Sequence, residues 1–475
     1  MAGALPEGFK ERIKKDLGKE ADSFLGSFFD VPKRGLRINT LKAGAEAEEE
    51  ITRGLKKIPW EEHGYYYEED TGFAPGRMPL HRAGAYYIQE PSAMAPAGFL
   101  DVRPGMCVLD LCAAPGGKST QTAAYLGGSG LLVANEPVRD RARILSQNIE
   151  RMGIKNALVI SHDPKELVPA FPASFDRILV DAPCSGEGMM RRDETAIEQW
   201  SPENVAMCAK RQEGILDSAA VMLKPGGRLV YSTCTFSFDE DEEQVKHFLE
   251  RHPDYHLAEA RPCAGMRAEQ GMIRIWPQDR YGEGHFMAVL ERDGELKSAS
   301  CGYRGRMEKP LNNKQIREAA PFREFVSNVI KDGAFREYLL DSSKLFMFGS
   351  RLCALPEAGL PALTGLKVIR AGLELGEIRK GRFIPAHSLA LAISRESAMR
   401  VLELDNAGEE AERYLAGGTL TKESGRYYDE TPEGKAFTNE NAGWGLVTVS
   451  GISIGWYKAS NDIFKNHYPK GLRIF

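Results

Sequence analysis

The stretch MCVLDLCAAPGGKST, at residues 106–120, decides the fold of this chain. It begins with an apolar run that ends near Asp110, as expected for a strand that is buried on both faces of a parallel sheet. Small residues follow from Cys112 to Gly117, and they let the backbone bend tightly and approach a ligand. A helix that begins after such a loop offers free backbone N–H groups. The stretch therefore predicts a strand, a ligand-binding loop and a helix, in that order.

Three more stretches repeat this pattern of a short apolar run that ends in polar residues. They are LLVANE at 131–136, RILVDAP at 177–183 and RLVYSTC at 228–234. One apolar helical face lies after the first of them, formed by Ala142, Leu145, Ile149 and Met152. Further on, Ser237 and Glu240 have the spacing of a capping box, which predicts a helix over residues 239–250. Strands separated by helices favour parallel pairing with right-handed crossovers, so the sequence predicts a doubly wound α/β sheet.

Length and composition indicate several globular domains. The chain has 475 residues, of which 42% are hydrophobic and 27% charged, and these values exclude disordered, collagen-like and coiled-coil proteins. We expect an N-terminal αβ module at 1–90, the α/β core at 91–295, a linker with a helical segment at 296–340, and a small, mostly β domain at 341–475. In the last domain, helices are expected around 395–406 and 410–415.

Several features that the sequence lacks bear on location and metal content. No stretch reaches the ~18 uninterrupted apolar residues of a membrane span, and residues 1–10 lack the layout of a signal peptide. We therefore expect a cytoplasmic protein. The eight cysteines include no Cys-x-x-Cys pair, so we expect neither a disulfide scaffold nor zinc, and no metal is predicted. The formal net charge of −5 argues against a uniformly basic nucleic-acid binder but permits local basic patches.

The ligand that best matches the first loop is S-adenosylmethionine. A phosphate-binding P-loop would need a glycine five residues before Gly117, where this chain has Cys112, and the dinucleotide pattern GxGxxG is absent. S-adenosylmethionine has a carboxylate and an ammonium group in place of a pyrophosphate. Glu136, which closes the second strand, is placed to accept both ribose hydroxyls, and Asp163, after the third apolar run, to accept the adenine amino group. Taken alone, each acid could equally be a helix cap or a turn residue.

Two cysteines lie just beyond strand ends, over the same predicted crevice. Cys184 is in DAPCSGEG, and Cys234 is in STCTFS. Carbon 5 of cytosine is a poor nucleophile, but a thiolate that adds to carbon 6 makes an enamine whose carbon 5 attacks a methyl group. That route needs a contact to the ring nitrogen, which Asp181 can make, and a group such as Lys118 or a helix N-terminus to lower the pKa of a thiol. Position alone does not decide which cysteine attacks.

The other cysteines have a simpler expected role. Buried cysteine commonly serves as a small apolar core residue, and that role is expected for Cys107, Cys208, Cys263, Cys301 and Cys353. For Cys112 we expect the small size of the side chain to matter more than its thiol, because it lies in the ligand loop.

Five motifs together resemble the Nol/Nop/Sun family of RNA cytosine methyltransferases over residues 37–292. They are RINTLK, YIQEPSAMAP, LDLCAAPGGKST, DAPCSGEGMMRRD and YSTCTFSFDEDEEQV. Downstream, GLELGEIRKGRFIPAHSLALAI and GWGLVTVSGISIGWYKASNDIFKNHYPKGLR are similar to the C-terminal regions of the bacterial RsmF branch of that family. The resemblance therefore extends over nearly the whole chain.

The resemblance implies a fold, a reaction and a set of site residues. It implies a Rossmann-like class I methyltransferase core, a C-terminal PUA-like RNA-binding domain, and formation of 5-methylcytosine in small-subunit (16S) ribosomal RNA. It assigns attack on carbon 6 to Cys234, help in releasing the product to Cys184, and the contact to the cytosine ring to Asp181, with Lys118 beside them. The cofactor residues that it implies are Cys112, Ala113, Ala114, Pro115, Gly116, Gly117, Lys118, Glu136, Arg141, Asp163 and Asp181.

A cytosine inside a helix cannot present carbon 6 to a thiolate, so the target nucleotide must be unpaired or flipped out. Candidate contacts to the RNA backbone are basic residues that cluster in the sequence, namely Lys33, Arg34, Arg37, Lys42, Arg191, Arg192, Lys367, Arg370, Arg379, Lys380, Arg382, Lys458, Lys465, Lys470 and Arg473. Asn39 could be an RNA contact or a turn residue. The expected partner is ribosomal RNA within a small subunit or its precursor. Transfer RNA as the substrate, or a non-catalytic ribosome assembly factor, are the alternatives.

Overall fold

The computed structural model describes residues 5–68, 73–296, 307–406, 408–431, 443–460 and 462–474. The N-terminal module contains α1 (Glu7–Leu17), α2 (Ala21–Ser27), β1 (Arg34–Ile38), α3 (Ala45–Thr52), β2 (Lys56–Lys57), β3 (Gly64–Tyr67), α4 (Pro79–Arg82) and β4 (Tyr86–Ile88). Its strands form an antiparallel sheet in the order β2-β3-β1-β4.

The core follows the N-terminal module. In chain order it contains α5 (Ala95–Phe99), β5 (Cys107–Asp110), α6 (Gly117–Leu126), β6 (Leu131–Asn135), α7 (Arg139–Arg151), β7 (Ala157–Ile160), α8 (Pro164–Leu167), β8 (Phe175–Asp181), α9 (Glu194–Gln199), α10 (Pro202–Met222), β9 (Leu223–Thr233), α11 (Glu242–Arg251), β10 (Tyr255–Leu257), β11 (Arg267–Glu269), β12 (Met272–Ile275) and β13 (His285–Arg292). Strands β9-β8-β5-β6-β7 pair in parallel, and β13 runs antiparallel to β9. The predicted doubly wound sheet is confirmed.

The central strands are buried on both faces because helices cover the sheet from two sides. Along β5, Leu109 packs into one hydrophobic cluster with Ile178. Its neighbour Val108 packs into a second cluster with Leu179. Successive side chains of a strand point to opposite faces, so the apolar run read in the sequence serves two cores at once.

Within the described residues, the C-terminal part contains five α-helices, a four-stranded sheet and a six-stranded sheet. Its elements are α12 (Asn313–Glu318), α13 (Ala320–Val329), α14 (Ala334–Leu340), β14 (Leu345–Phe348), β15 (Arg351–Ala354), β16 (Val368–Ala371), β17 (Leu373–Arg379), β18 (Arg382–Pro385), α15 (His387–Ala392), β19 (Arg400–Leu404), α16 (Glu409–Leu415), β20 (Leu420–Thr421), β21 (Arg426–Asp429), β22 (Trp444–Val449), β23 (Ile452–Ser460) and β24 (Ile463–Asn466). The sheets have the orders β14-β15-β17-β18 and β20-β24-β23-β22-β19-β21.

Two features of the C-terminal part differ from the prediction. Strand β16 leaves its neighbours and pairs antiparallel with β7, so it extends the core sheet at its edge. The helix predicted over 395–406 is wrong, because residues 400–404 of this stretch form β19, which pairs with β21 and β22. The second predicted helix, at 410–415, is confirmed as α16. Pairing with distant strands outweighs local helical pattern in the first case.

Most of the cysteines expected in the core are buried. Cys107, Cys208 and Cys353 are at most 4% exposed. The expectation is wrong for Cys263, which is exposed in the connection that follows β10. Cys301 lies outside the described residues.

Arg37 joins the N-terminal module to the core and does not face RNA. The residue is 1% exposed. Its Nε donates to Gln89 Oε1 at 3.2 Å, and its Nη2 donates to the Gly117 carbonyl oxygen at 3.0 Å and to Thr120 Oγ1 at 2.8 Å. The prediction of an RNA contact at Arg37 is therefore wrong, because its guanidinium is buried and hydrogen-bonded to other residues of the protein.

Asn39 and Lys42 also hold modules together. The Asn39 amide donates to the carbonyl oxygens of Gly84 at 2.8 Å and of Met152 at 2.9 Å, so Asn39 is a structural residue. Lys42 Nζ donates to the Ser453 carbonyl oxygen of the C-terminal domain at 3.2 Å. Burial lowers the pKa of Lys42 to about 7. The candidate RNA contact at Lys42 is therefore wrong as well.

No helix among the described residues has both the length and the apolar composition that crossing a membrane requires.

Replacing Arg37 by alanine should lower the free energy of unfolding by about 2–4 kcal/mol, because it leaves buried acceptors of the module interface unpaired. Urea denaturation measures the change. The matched control is Lys33→Ala, at an exposed position four residues away, which should change the free energy by less than about 0.5 kcal/mol. Equal effects of the two substitutions would contradict the assignment of Arg37 to the interface.

Candidate active site

The two glycines of the loop between β5 and α6 lie close against side chains of neighbouring elements. Gly116 has a φ of +116°, and a Cβ at this position would lie 3.1 Å from Leu145 Cδ1. A Cβ on Gly117 would lie 3.3 Å from the Gln89 side chain. Glycine is favoured at both positions, as the sequence predicted for a ligand loop.

Glu136 and Arg141 lie at the neighbouring strand end. Glu136 is 2% exposed, and its Oε1 accepts from the Val138 N–H at 3.0 Å. Its Oε2 is 3.5 Å from Arg141 Nη1. Arg141 Nη2 in turn donates to the Ala114 carbonyl oxygen at 3.0 Å. Arg141 therefore ties the ligand loop after β5 to the carboxylate after β6.

Asp163 caps α8. It is exposed, and its Oδ1 accepts from the Lys165 N–H at 3.1 Å. This is the helix-cap role that the sequence left open beside a contact to adenine. The adenine contact of Asp163 stays a prediction.

Asp110 is a residue of this site that the sequence reasoning missed. It ends β5 directly before the ligand loop, is 1% exposed, and accepts from Ser119 Oγ at 2.6 Å. Its Oδ1 is buried and has no hydrogen-bond partner within the part of the chain that is described. Burial raises the pKa of Asp110 to about 7. The signal in the sequence was an acid at the very end of an apolar strand, followed by glycines.

The two predicted cysteines meet over the ends of β8 and β9. Cys184 Sγ lies 3.4 Å from Cys234 Sγ, and both side chains are half-buried. The hydrogen bond with Cys234, followed by burial, raises the pKa of Cys184 well above its ordinary value. Its thiol is therefore protonated at neutral pH.

Asp181, at the end of β8, is the centre of a charged cluster. Its Oδ2 accepts from Lys118 Nζ at 2.8 Å, and its Oδ1 accepts from Ser232 Oγ at 2.9 Å. His285 Nε2 is 3.5 Å from the same Oδ1. Burial works to raise the pKa of Asp181, but Lys118 and His285 outweigh it and lower that pKa below its ordinary value. Lys118 is thus bonded to Asp181, whereas the sequence offered it as a partner for a thiol.

Glu240 lies beneath the loop that carries Cys184. Glu240 is fully buried; its Oε2 accepts from the Ser185 N–H and from Gln212 Nε2, both at 2.9 Å, and its Oε1 accepts from Ser185 Oγ at 2.5 Å. The predicted capping box is wrong: the helix begins at Glu242, and the buried Ser237 Oγ has no hydrogen-bond partner among the described residues. Glu240 instead fixes the residue after Cys184.

Several of the basic residues predicted to contact RNA form ion pairs with acidic residues of the protein instead. Arg191, 4% exposed at its side chain, pairs with Glu283 at 3.1 Å. Arg370 is buried and pairs with Glu150. For these two the predicted RNA contact is wrong. The candidates that are exposed are Lys33, Arg34, Arg192, Lys367, Arg379, Lys380, Arg382, Lys465 and Lys470.

The chain matches four protein families along its length. Residues 97–291 match the 16S rRNA methyltransferase RsmB/F family. Residues 5–91 match the N-terminal domain of 16S rRNA methyltransferase RsmF, residues 325–393 the first C-terminal domain of RsmF, and residues 400–474 the PUA domain of methyltransferase RsmF.

Whole-length relatives are named ribosomal RNA small subunit methyltransferase F. The protein from Vibrio vulnificus (strain YJ016) is 32% identical over 483 residues, covering 98% of this chain and 97% of the relative. The protein from Escherichia coli O139:H28 (strain E24377A / ETEC) is 32% identical over 485 residues, covering 98% and 96%.

Solved structures share the fold of the core. A methyltransferase homolog protein from Pyrococcus horikoshii is 27% identical with a TM-score of 0.53, covering 61% of this chain and 96% of that chain. NSun6 from the same organism, solved with SFG, is 22% identical with a TM-score of 0.55, covering 62% and 100%. The second likeness bears on the fold alone.

Replacing Glu240 by alanine should lower the free energy of unfolding by about 2–4 kcal/mol, because several buried donors lose their acceptor. Urea denaturation of the purified variant measures the loss. The control is Ser237→Ala at the other position of the expected capping box; it removes a buried hydroxyl without a partner and should leave stability unchanged or slightly higher. If Ser237→Ala lowered the free energy of unfolding as much as Glu240→Ala, that result would support the capping box and contradict the role assigned to Glu240.

Proposed function

This chain belongs to the RsmF family of 16S ribosomal RNA methyltransferases, and from that membership we propose that it transfers a methyl group from S-adenosylmethionine to carbon 5 of a cytosine in small-subunit ribosomal RNA. The RNA would be bound as a small subunit or its precursor. Identity above 30% over nearly the full length of both chains supports the same reaction class.

The observation that carries the carbon-5 proposal is the pair of thiols at adjacent strand ends. Cys184 Sγ and Cys234 Sγ are 3.4 Å apart, a spacing that lets both reach one pyrimidine ring. Asp181 and its partner Lys118 lie at the end of the same strand that leads to Cys184. A methyltransferase that acts on an oxygen or nitrogen atom needs no cysteine nucleophile. Two thiols beside a carboxylate support attack through a covalent intermediate.

In the proposed reaction the Cys234 sulfur forms a bond to carbon 6, and the displaced π electrons make carbon 5 nucleophilic. Carbon 5 takes the methyl group; a water molecule then removes the proton of carbon 5, and the electron pair of the breaking bond between sulfur and carbon 6 returns to sulfur. Cys184, whose thiol contacts Cys234, assists this release. Asp181 contacts the ring nitrogen, and Lys118 orients that carboxylate. The choice of Cys234 as nucleophile follows the family pattern, in which the cysteine of Thr-Cys-Thr attacks.

The residues around the loop after β5 fit S-adenosylmethionine, which when bound supplies an electrophilic methyl group on a sulfonium. The loop consists of small residues from Cys112 to Gly117, and Asp110 Oδ1 is a buried acceptor without a partner among the described residues. Glu136 offers a buried carboxylate for the ribose hydroxyls. The other proposed cofactor residues are Cys112, Ala113, Ala114, Pro115, Gly116, Gly117, Lys118, Arg141, Asp163 and Asp181.

Purified protein should transfer radioactive methyl groups to small subunits isolated from cells that lack this gene, and bisulfite sequencing should locate the product at a cytosine. Cys234→Ala should abolish the transfer, because the proposed attack on carbon 6 loses its sulfur nucleophile. The control is Cys353→Ala, a buried cysteine on β15, which belongs to a different sheet from β8 and β9. Methylation of bulk transfer RNA in preference to subunits would move the substrate to tRNA, and no transfer to any cellular RNA would favour a non-catalytic assembly factor.

Cys184→Ala should accumulate protein bound covalently to RNA, because release of the adduct loses its assisting thiol. A slowly migrating band in a denaturing gel, sensitive to ribonuclease, measures the adduct. The double substitution Cys184→Ala with Cys234→Ala serves as the control and should give no band. A band that survives in the double variant would show that Cys234 is not the attacking residue, and the absence of a band in Cys184→Ala would remove the release role.

A further inference from the structure

His285 is a buried histidine that the reaction described above does not use. It is the first residue of β13 and is 3% exposed. Its Nε2 is buried and makes no hydrogen bond within the described residues. A buried imidazole nitrogen normally has a partner, because leaving one unpaired costs free energy. We therefore expect a function for His285 Nε2, the orphaned nitrogen, in the candidate site.

The group that His285 faces is the carboxylate proposed to contact the cytosine ring. His285 Nε2 lies 3.5 Å from Asp181 Oδ1, slightly too far for a hydrogen bond but close enough for an ion pair once the ring is charged. The other oxygen of Asp181 is bonded to Lys118 Nζ at 2.8 Å, and Ser232 Oγ donates to Oδ1 at 2.9 Å. Asp181 therefore rests as a carboxylate surrounded by donors. In that state it has no proton to give to a ring nitrogen.

Strand pairing places His285 near the end of β9, which leads to the proposed attacking cysteine. In the antiparallel pair of β13 and β9, Met287 is opposite Ser232 and Phe286 is opposite Thr233, where the ladder ends. Cys234 is the next residue after β9, and His285 is the next residue of β13 in the same register. Because side chains alternate between faces, His285 shares a face with Ser232, which bonds to Asp181. Directly opposite residues on one face are neighbours.

The charged groups around His285 come from three other elements. They are Asp181 at the end of β8, Lys118 on α6 and Glu90 after β4. Burial, followed by the Lys118 ammonium, lowers the pKa of His285 below its ordinary value, although both carboxylates oppose this. The ring is therefore neutral at neutral pH and free to accept a proton.

We propose that His285 is the proton carrier of this site: it takes up the proton released when Cys234 becomes a thiolate and passes it on to Asp181. This role rests on the covalent reaction proposed above. It accounts for the orphaned nitrogen, for the ion-pair distance to Asp181, and for the strand face that His285 shares with Ser232.

The Cys234 S–H bond breaks, its proton moves to His285 Nε2, and its electron pair forms the bond to carbon 6. The imidazolium then gives that proton from Nε2 to Asp181 Oδ1, and Asp181 passes it on to ring nitrogen 3 as the π electrons move into the ring. One proton has left sulfur and one has arrived at nitrogen, so the adduct forms without an external acid. Breaking the adduct returns both groups to their starting states.

The test is the rate at which the protein forms a covalent adduct with small subunits reconstituted with 16S RNA that carries 5-fluorocytidine, measured from pH 5.5 to pH 9. Fluorine at carbon 5 blocks the loss of a proton there, so the adduct accumulates. Near pH 7, His285→Gln and His285→Phe should slow adduct formation by about 10- to 100-fold, within the usual size of acid–base contributions. The wild-type rate should reach its plateau below pH 7. The variant rates should keep rising to pH 9, because they depend on the ionisation of the thiol itself.

The control is His256→Gln, an exposed histidine on β10 of the same sheet that also pairs with a carboxylate, Asp293; it should keep the wild-type profile. Adduct rates and pH profiles of both His285 variants that match wild type would overturn the proposal. So would a loss that is equal at every pH and accompanied by weaker binding of RNA and S-adenosylmethionine, since that marks a structural role. A wild-type protein that forms no adduct would overturn the covalent reaction itself, and the role of His285 with it.

Discussion

The parallel register of β8 and β9 is the constraint on which the site depends. Asp181 is paired with Ser232 at the end of this ladder, so the residues that follow the two strands leave the sheet side by side. Two cysteines 50 positions apart in the chain thereby come to 3.4 Å between their sulfur atoms. A shift of one residue in this register would move the side chains of one of the two strands to the other face of the sheet. The buried carboxylate of Glu240 then holds the Cys184 loop against this edge.

Buried polar residues join the modules around this edge. Arg37 links the N-terminal sheet to the first turn of α6, Asn39 links it to the end of α7, and Lys42 reaches the C-terminal domain. Strand β16 adds a further link, because it completes the core sheet from a distant part of the sequence. Buried charges and amides are costly unless paired, so these contacts favour one relative placement of the modules. As a result, the C-terminal domain, which matches the PUA domain of methyltransferase RsmF, lies beside the core.

Basic residues were the least informative part of the sequence. In the sequence, nothing distinguishes four of the basic residues from surface lysines, yet the structure shows that they bond to other parts of the chain. They are Arg37, Lys42, Arg191 and Arg370. A positive charge reports neither its burial nor its partner, because the acidic or carbonyl acceptors are far away in the chain. The same holds for Glu240. Its spacing from Ser237 matches that of a capping box, but in the structure its carboxylate accepts a hydrogen bond from Ser185. His285 gave no local signal at all, since its significance comes from a strand ladder.

The sequence by itself determined the doubly wound core, the glycine-containing loop after the first strand and the position of two cysteines directly after strand ends. These are local properties: an apolar run of strand length, glycines where the backbone must come close to a ligand, and polar residues directly after a strand. Only the tertiary structure decided that Asp110 and His285 belong to the site, that Lys118 serves Asp181, and that Arg400–Leu404 is a strand. The physical reason is that each of these depends on partners brought together by sheet pairing, and burial of a polar group is settled by those partners rather than by its neighbours in the chain.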